Sequence, residues 1–251
     1  MQSRFTLEVC ANSVQSAINA QIAGAHRVEL CENLNLGGTT PSHGCIKKSR
    51  DLLKIKLNVL IRPRSGDFLY STLEFEQIKE DIIIAKKLGA DGIVCGILLP
   101  NGKVDIRRTK ELVELSNPLS FTFHRAFDFS PDPFEALEDV IQTGATHLLT
   151  SGQKSKAVEG VELISNLVRQ AKERIVMMPG SGISSATIHE LIKTGASEFH
   201  MSGVKRVESK MAFQKNISLC ENSSNDFTFM ESNVERINEV VQILSSKTTP
   251  N

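Results

Sequence analysis

Two Glu-x-Cys triplets, Glu8-Val9-Cys10 and Glu29-Leu30-Cys31, stand near the start of the 251-residue chain, each inside an apolar run that reads as a strand. Residues two apart on a strand share a face. Each triplet therefore sets a thiol and a carboxylate on one side of a sheet, and neighbouring strands would bring two thiols and two carboxylates together. Thiolates are soft ligands that select Cu(I), zinc or iron–sulfur clusters, and a pair of them suits a low-coordinate Cu(I) ion. The plain alternative is that each cysteine is a small buried hydrophobe. No C-x-x-C or H-x-x-x-H spacing accompanies the triplets.

A second set of residues suits an anion. Pro179-Gly180-Ser181-Gly182 follows one strand-like run and Ser202-Gly203 another, and glycine lets backbone N–H groups approach a ligand closely. Arg62, Arg64, His124 and Arg125 stand at other strand ends with Ser151 and His200. With Glu8 and Glu29 they form a polar ring that fits a small anionic, phosphorylated metabolite. The same ring is equally explained by arginine pairing internally with Glu8 and Glu29. His124 near Asp128 or Glu8 has the chemistry of an acid or base, but no nucleophile elbow, Schiff-base lysine or ordered carboxylate dyad is present. No reaction can be named from this inventory. Of the remaining candidates, His43 and Cys45 read as a loop pair, Cys95 as core and Cys220 as part of a polar tail. His26, His147 and His189 read as surface residues without a partner.

The elements that must position these groups follow from a phrase repeated four times: a helix end, Gly-Ala, then a strand. The pairs begin at Gly24, Gly89, Gly144 and Gly195, each interval about two βα units long. Further strands start at Phe5, Leu57, Ser120 and Arg174, which makes eight. Apolar stripes such as Phe75, Ile78, Ile82 and Ala85 mark the intervening helices, and Asp132-Pro133-Phe134-Glu135 is a helix start with cap, first-turn proline and N3 acid. Eight short units with an internal echo predict a single-domain α/β (β/α)8 TIM-like barrel. Its core is expected over 1–203. Residues 204–251 are expected to form a C-terminal extension with a polar, hairpin-like stretch and a final helix, capped by Asn233, packing on the barrel. In this architecture chemistry gathers at the C-terminal ends of the strands, where the ring lies.

Composition narrows the class of partner. The chain carries 29 basic and 29 acidic residues, so no net field draws it to nucleic acid or an anionic membrane. The N-terminus passes into a strand without a signal-like apolar core, and no run of 18 apolar residues follows, which predicts a cytoplasmic protein. Five cysteines, an odd number at irregular spacing, predict reduced thiols.

The phrases LEVCANSVQSA, RVELCENLNLGGTTPS, IRPRSGDFLYS, LGADGIVCG, FTFHRAFD, LLTSGQ, MPGSGI and EFHMSG run in order through about 200 residues and resemble the copper homeostasis protein CutC family. The resemblance implies a TIM-like barrel, a cytosolic copper-handling role, and Cu(I) as the bound ion at the two Glu-x-Cys cysteines, here Cys10 and Cys31. It also implies a homodimer or higher homo-oligomer. Ser181 stands where the family pattern has the middle of three glycines.

Overall fold

The computed structural model describes residues 5–215 and 226–247, so Cys220 lies outside the described residues. Eight parallel strands form one sheet: β1 (Thr6–Ala11), β2 (Arg27–Leu30), β3 (Lys56–Leu60), β4 (Gly92–Cys95), β5 (Ser120–Phe123), β6 (His147–Thr150), β7 (Val176–Pro179) and β8 (Glu198–Met201). Neighbours pair in sequence order, β1 also pairs with β8, and a parallel bridge from Gly180 to His200 joins β7 to β8 and closes the barrel. Among the described residues, eight α-helices, α1 (Val14–Ile22), α2 (His43–Leu52), α3 (Thr72–Lys87), α4 (Ile106–Ser116), α5 (Pro133–Gln142), α6 (Val161–Ala171), α7 (Ile188–Ile192) and α8 (Val234–Ser246), complete the α/β TIM-like fold.

Local chemistry explains these boundaries. Side chains of Ser13, Ser42, Asp105, Asp132 and Asn233 accept from the first free helix amides, and Ser71 with Glu74 forms a reciprocal capping box for α3. The four repeated glycines sit at φ between +85° and +89°, the left-handed turn that stops a helix and that a Cβ would strain.

Alternation along each strand separates two interiors. Outward residues such as Leu7, Val9, Leu57, Val59, Ile93, Phe121, Phe123 and Phe199 pack against the helix stripes and make the large core. Each such fully buried side chain contributes roughly 1.5–3 kcal/mol. The inward residues are different: Glu8, Arg27, Glu29, Asn58, Thr122 and His200 are buried and polar. A small apolar plug of Cys10, Cys31, Leu60 and Val94 sits among them, with Met178 against Arg27 and Leu149 on the wall of the cavity at the barrel mouth. Apolar packing therefore holds the barrel from outside and leaves the lumen for polar chemistry.

Beyond β8 the chain forms an antiparallel ribbon of β9 (Val204–Glu208) and β10 (Thr228–Ser232) before α8. The ribbon is tied to the start of the barrel: Asn12 donates to the Met230 carbonyl at 2.9 Å, Asn19 to the Ser232 carbonyl at 2.9 Å, and the Ser232 amide to Ser16 Oγ at 3.0 Å. Helix α8 buries Ile237, Val240, Val241 and Leu244 and lies beside α1. It thus occupies the place of an eighth barrel helix, and the ribbon is an insertion between β8 and its helix.

Candidate metal centre at the barrel mouth

In the β1–β2 register Cys10 lies opposite Glu29. Cys31 continues β2 past its end, its amide donating to the Ala11 carbonyl at 2.9 Å. The Cys10 and Cys31 Sγ atoms are 3.5 Å apart, and the Cys10 thiol reaches Glu29 Oε1 at 3.6 Å. Strand β8 brings in His200, so that ligand atoms of Cys10, Glu29 and His200 lie within 4.8 Å of one another. Little of this cluster meets solvent: Cys31 is fully buried, and Glu29 is 4% and His200 9% exposed.

Its floor is an ionic layer. Glu8 accepts from Arg27 Nε at 2.5 Å, Asn58 Nδ2 at 3.0 Å and His200 Nδ1 at 2.8 Å, while Arg27 Nη2 donates to Glu198 at 2.6 Å. Burial alone would raise the Glu8 carboxyl, but the Arg27 charge and the His200 hydrogen bond overcome it and hold Glu8 down at about 2. Glu8 is therefore a carboxylate, and the Nδ1–H that it accepts assigns the His200 tautomer. The Nε2 lone pair is left for a ligand, the arrangement in which a carboxylate orients a metal-binding imidazole. Burial lowers His200, yet the Glu29 and Glu8 charges reverse this and leave it above its ordinary value. Glu29 differs from Glu8: burial pushes it up to about 7, and its Oε2 is buried without a partner. The Cys10 thiol is raised well above its usual range by the hydrogen bond it shares with Cys31 and by burial. The cluster thus holds a protonated Cys10 thiol beside a carboxyl able to take a proton near neutral pH. A soft cation entering it would displace the thiol proton.

The diglycine turn after Cys31 is part of this wall. Gly38 sits at φ +85°, and a Cβ there would fall 2.7 Å from Leu60 Cδ2 and 3.5 Å from Cys31 Cβ. The carbonyls of Leu36 and Gly38 accept from Arg62 Nη1 at 3.0 and 2.7 Å, and that of Gly66 from Nη2 at 2.8 Å. The loop therefore covers Cys31 and seats Arg62. Above the cluster opens a cavity of about 880 Å³, lined by Cys10, Glu29, Arg62, Phe68, His124 and His200 together with the turn, the Ser181-Gly182 segment and the ribbon. His124 is held neutral, down at about 3, by burial and by Arg62.

Of the other expected site residues, Arg125 and Gly182 line the cavity and Arg64 does not. Arg64 turns away from the cavity to Glu74 at 2.5 Å and Asp67 at 3.0 Å. Arg125, on the cavity rim, is bound to Asp128 at 2.8 Å and Ser151 Oγ at 2.7 Å. Asp128 also accepts from Thr150 Oγ1 and the Ser151 and Gln153 amides, so this group is closed upon itself. Gly180 makes room where a Cβ would fall 2.6 Å from Leu149 Cδ1 and 3.3 Å from His200 Cβ. Gly182 has φ +72°, and Ser181 holds φ +82° as a non-glycine, its Oγ donating to the Ser155 carbonyl at 2.8 Å. Cys95 is buried in the outer core and Cys45 is half-buried on α2. His147 has a neighbour after all, Glu198 at 3.6 Å.

Comparison with known proteins is decisive at the level of family: the CutC family model matches residues 5–205. The chain belongs to the CutC family. It is 47% identical over 211 residues to the copper homeostasis protein cutC homolog of Homo sapiens, covering 84% of this chain and 77% of that one. A CutC family protein of Bacteroides thetaiotaomicron is 43% identical over 245 residues, covering 97% and 98%. Among solved structures, a copper homeostasis protein CutC from Streptococcus agalactiae superimposes with TM-score 0.75 at 34% identity, over 79% of this chain and 98% of that one. Thiamine phosphate pyrophosphorylase from Pyrococcus furiosus, at 14% identity, TM-score 0.62 and 98% coverage of both chains, shares the fold alone.

Within this CutC barrel, sequence reasoning overlooked Arg27, Asn58 and Phe68. Arg27 precedes Glu29 by two residues, so the same alternation that singled out Glu29 and Cys31 places Arg27 in the lumen. Asn58 carries a comparable signal, a polar residue in the apolar run of β3. Phe68 lies in a loop and offered none.

Proposed function

We propose that this CutC-family protein handles copper in the cytosol by binding Cu(I) at the barrel mouth, with the Cys10 and Cys31 thiolates as principal ligands and His200 Nε2 as a further donor. The observation that carries this reading is the 3.5 Å contact of two buried sulfurs beside an imidazole whose other nitrogen is fixed by Glu8. The donor set is soft where Cu(I) asks for softness. Glu29, a hard carboxylate with one idle oxygen, is better suited to accept the proton that Cys10 gives up than to ligate the ion. The names of the human and mouse relatives, copper homeostasis protein cutC homologs, point the same way.

Competition against a colourimetric Cu(I) chelator tests the reading. The reduced protein should withdraw one Cu(I) from the chelator. Cys10→Ser and Cys31→Ser should each weaken binding at least tenfold, a loss of about 1.4 kcal/mol or more. Equal affinity in the double variant would remove the proposal.

A further inference from the structure

The copper reading leaves most of the mouth unexplained. A cavity of about 880 Å³ is far larger than an ion needs and falls in the size range of small-molecule sites. One wall carries a buried cation with no countercharge. Arg62 is 5% exposed and, among the described residues, has no carboxylate partner. Its guanidinium has five N–H donors. The Leu36 and Gly38 carbonyls take both donors of Nη1, and Gly66 takes one from Nη2. What remains is Nε–H, which is buried and unpartnered, and the second Nη2–H. Nε–H and one Nη2–H make up the side edge of the planar fork, which accepts a carboxylate in bidentate fashion when the Gly66 carbonyl takes the other Nη2–H. The Tyr70 hydroxyl lies beside Arg62, close enough for the guanidinium's charge and a long side-chain hydrogen bond to act on it, while Tyr70 Oη and Arg62 Nε each lack a partner of full hydrogen-bond geometry.

His124 adds a second orphan donor. Its Nδ1 accepts from the Ala126 amide at 3.2 Å, which assigns the neutral ring's proton to Nε2. That atom is buried without an acceptor. Phe68 joins the two: the Arg62 guanidinium lies 5.1 Å from its ring centre, and the His124 ring centre is 4.9 Å away on the same phenyl. Arg62, Phe68 and His124 all line the cavity. An unpaired buried cation and a buried donor without an acceptor each cost free energy in the unliganded protein, and one ligand would satisfy both.

Charge then selects the ligand class. The other arginine on the cavity, Arg125, is already neutralised by Asp128, and His200 is paired with Glu8. One unpaired positive charge and one neutral N–H complement a single carboxylate, whereas a phosphate dianion would be left half-compensated.

We propose that the barrel mouth binds a small organic carboxylate, its two oxygens held by the side edge of Arg62 and one of them also by His124 Nε2–H. This site stands apart from the copper reading, since none of its three residues is a proposed copper ligand.

The test is isothermal titration of metal-free, full-length protein in a carboxylate-free buffer, with acetate, pyruvate and benzoate as probes. Inorganic phosphate, methyl phosphate and acetamide serve as controls. At least one of the three carboxylates should bind saturably and raise the melting temperature by mass action, and the controls should not. Arg62→Lys keeps the charge but loses the side edge and should weaken that carboxylate at least tenfold. His124→Leu removes the orphan Nε2–H together with the acceptor of the Ala126 amide; with its fold verified by circular dichroism, it should weaken that carboxylate severalfold. No saturation by any carboxylate up to tens of millimolar, equal binding of phosphate, or unchanged affinity in a folded His124→Leu protein would overturn the proposal. Because the titrations are done without metal, their outcome is independent of whether the cysteines hold copper.

Discussion

Glu29→Gln should make the metal-free protein more stable at alkaline pH and leave it little changed in acid. Burial raises the Glu29 carboxyl from 4.5 to about 7, so between those values the folded state keeps a proton that the unfolded chain has released. A group raised in this way favours folding below its unfolded value and loses that contribution as pH climbs through its folded one. At about 1.4 kcal/mol per pH unit the loss reaches about 3 kcal/mol above pH 7. Above that pH the protein carries a buried carboxylate with one oxygen unpartnered. Glutamine keeps the shape and cannot ionise. Urea unfolding at pH 8 should therefore show Glu29→Gln stabilised by about 2–3 kcal/mol, equivalent to a rise of roughly 5–10 °C in melting temperature for a chain of this size. At pH 4.5 the difference should shrink to near zero. A gain of the same size at both pH values, or none at pH 8, would refute the reasoning that Glu29 is retained at a cost to folding. The same variant should bind Cu(I) more weakly near neutral pH, having lost the acceptor for the Cys10 proton.

Three further outcomes follow from the geometry. Arg27→Met leaves the fully buried Glu8 without its guanidinium partner and should cost about 3–5 kcal/mol by urea denaturation. Glu8 is lowered from 4.5 to about 2, so it contributes about 3 kcal/mol above pH 4.5 that is lost as pH falls toward 2; Glu8→Gln should flatten this acid limb when unfolding is followed by circular dichroism. Gly38→Ala meets both a positive φ and a close Leu60 contact; it should cost about 1–3 kcal/mol and weaken Cu(I) binding by displacing the loop over Cys31, readable in the chelator competition.

The barrel was legible because its signals are local: Gly-Ala stops, Ser, Asp and Asn caps, and apolar stripes each act within a few residues. The convergence of Cys10 with Cys31 was legible for a related reason, since two-residue alternation and adjacent parallel strands suffice to predict it. What the sequence hid depends on register across the barrel and on where strands end. Arg62 and Arg64 are two apart and would share a face on an extended strand, but β3 ends at Leu60, so the chain turns and Arg64 swings to Glu74. The partner of Glu8 proved to be Arg27 and not Arg62, because the β1–β2 register sets Glu8 opposite Arg27. The closed Arg125–Asp128–Ser151 group depends on a short turn after β5 that no periodicity announces. Phe68 reaches Arg62 and His124 from a loop, through contacts fixed only in the packed state.

The central claim, that two thiolates at the rim of β1 and β2 hold the ion, is met most directly by X-ray absorption at the copper edge of protein loaded with one equivalent of Cu(I). The account predicts a first shell dominated by sulfur, with a light-atom contribution from His200, and loss of sulfur scattering in Cys10→Ser and in Cys31→Ser. A shell of nitrogen and oxygen alone, or a sulfur shell that persists in the double variant, would contradict it.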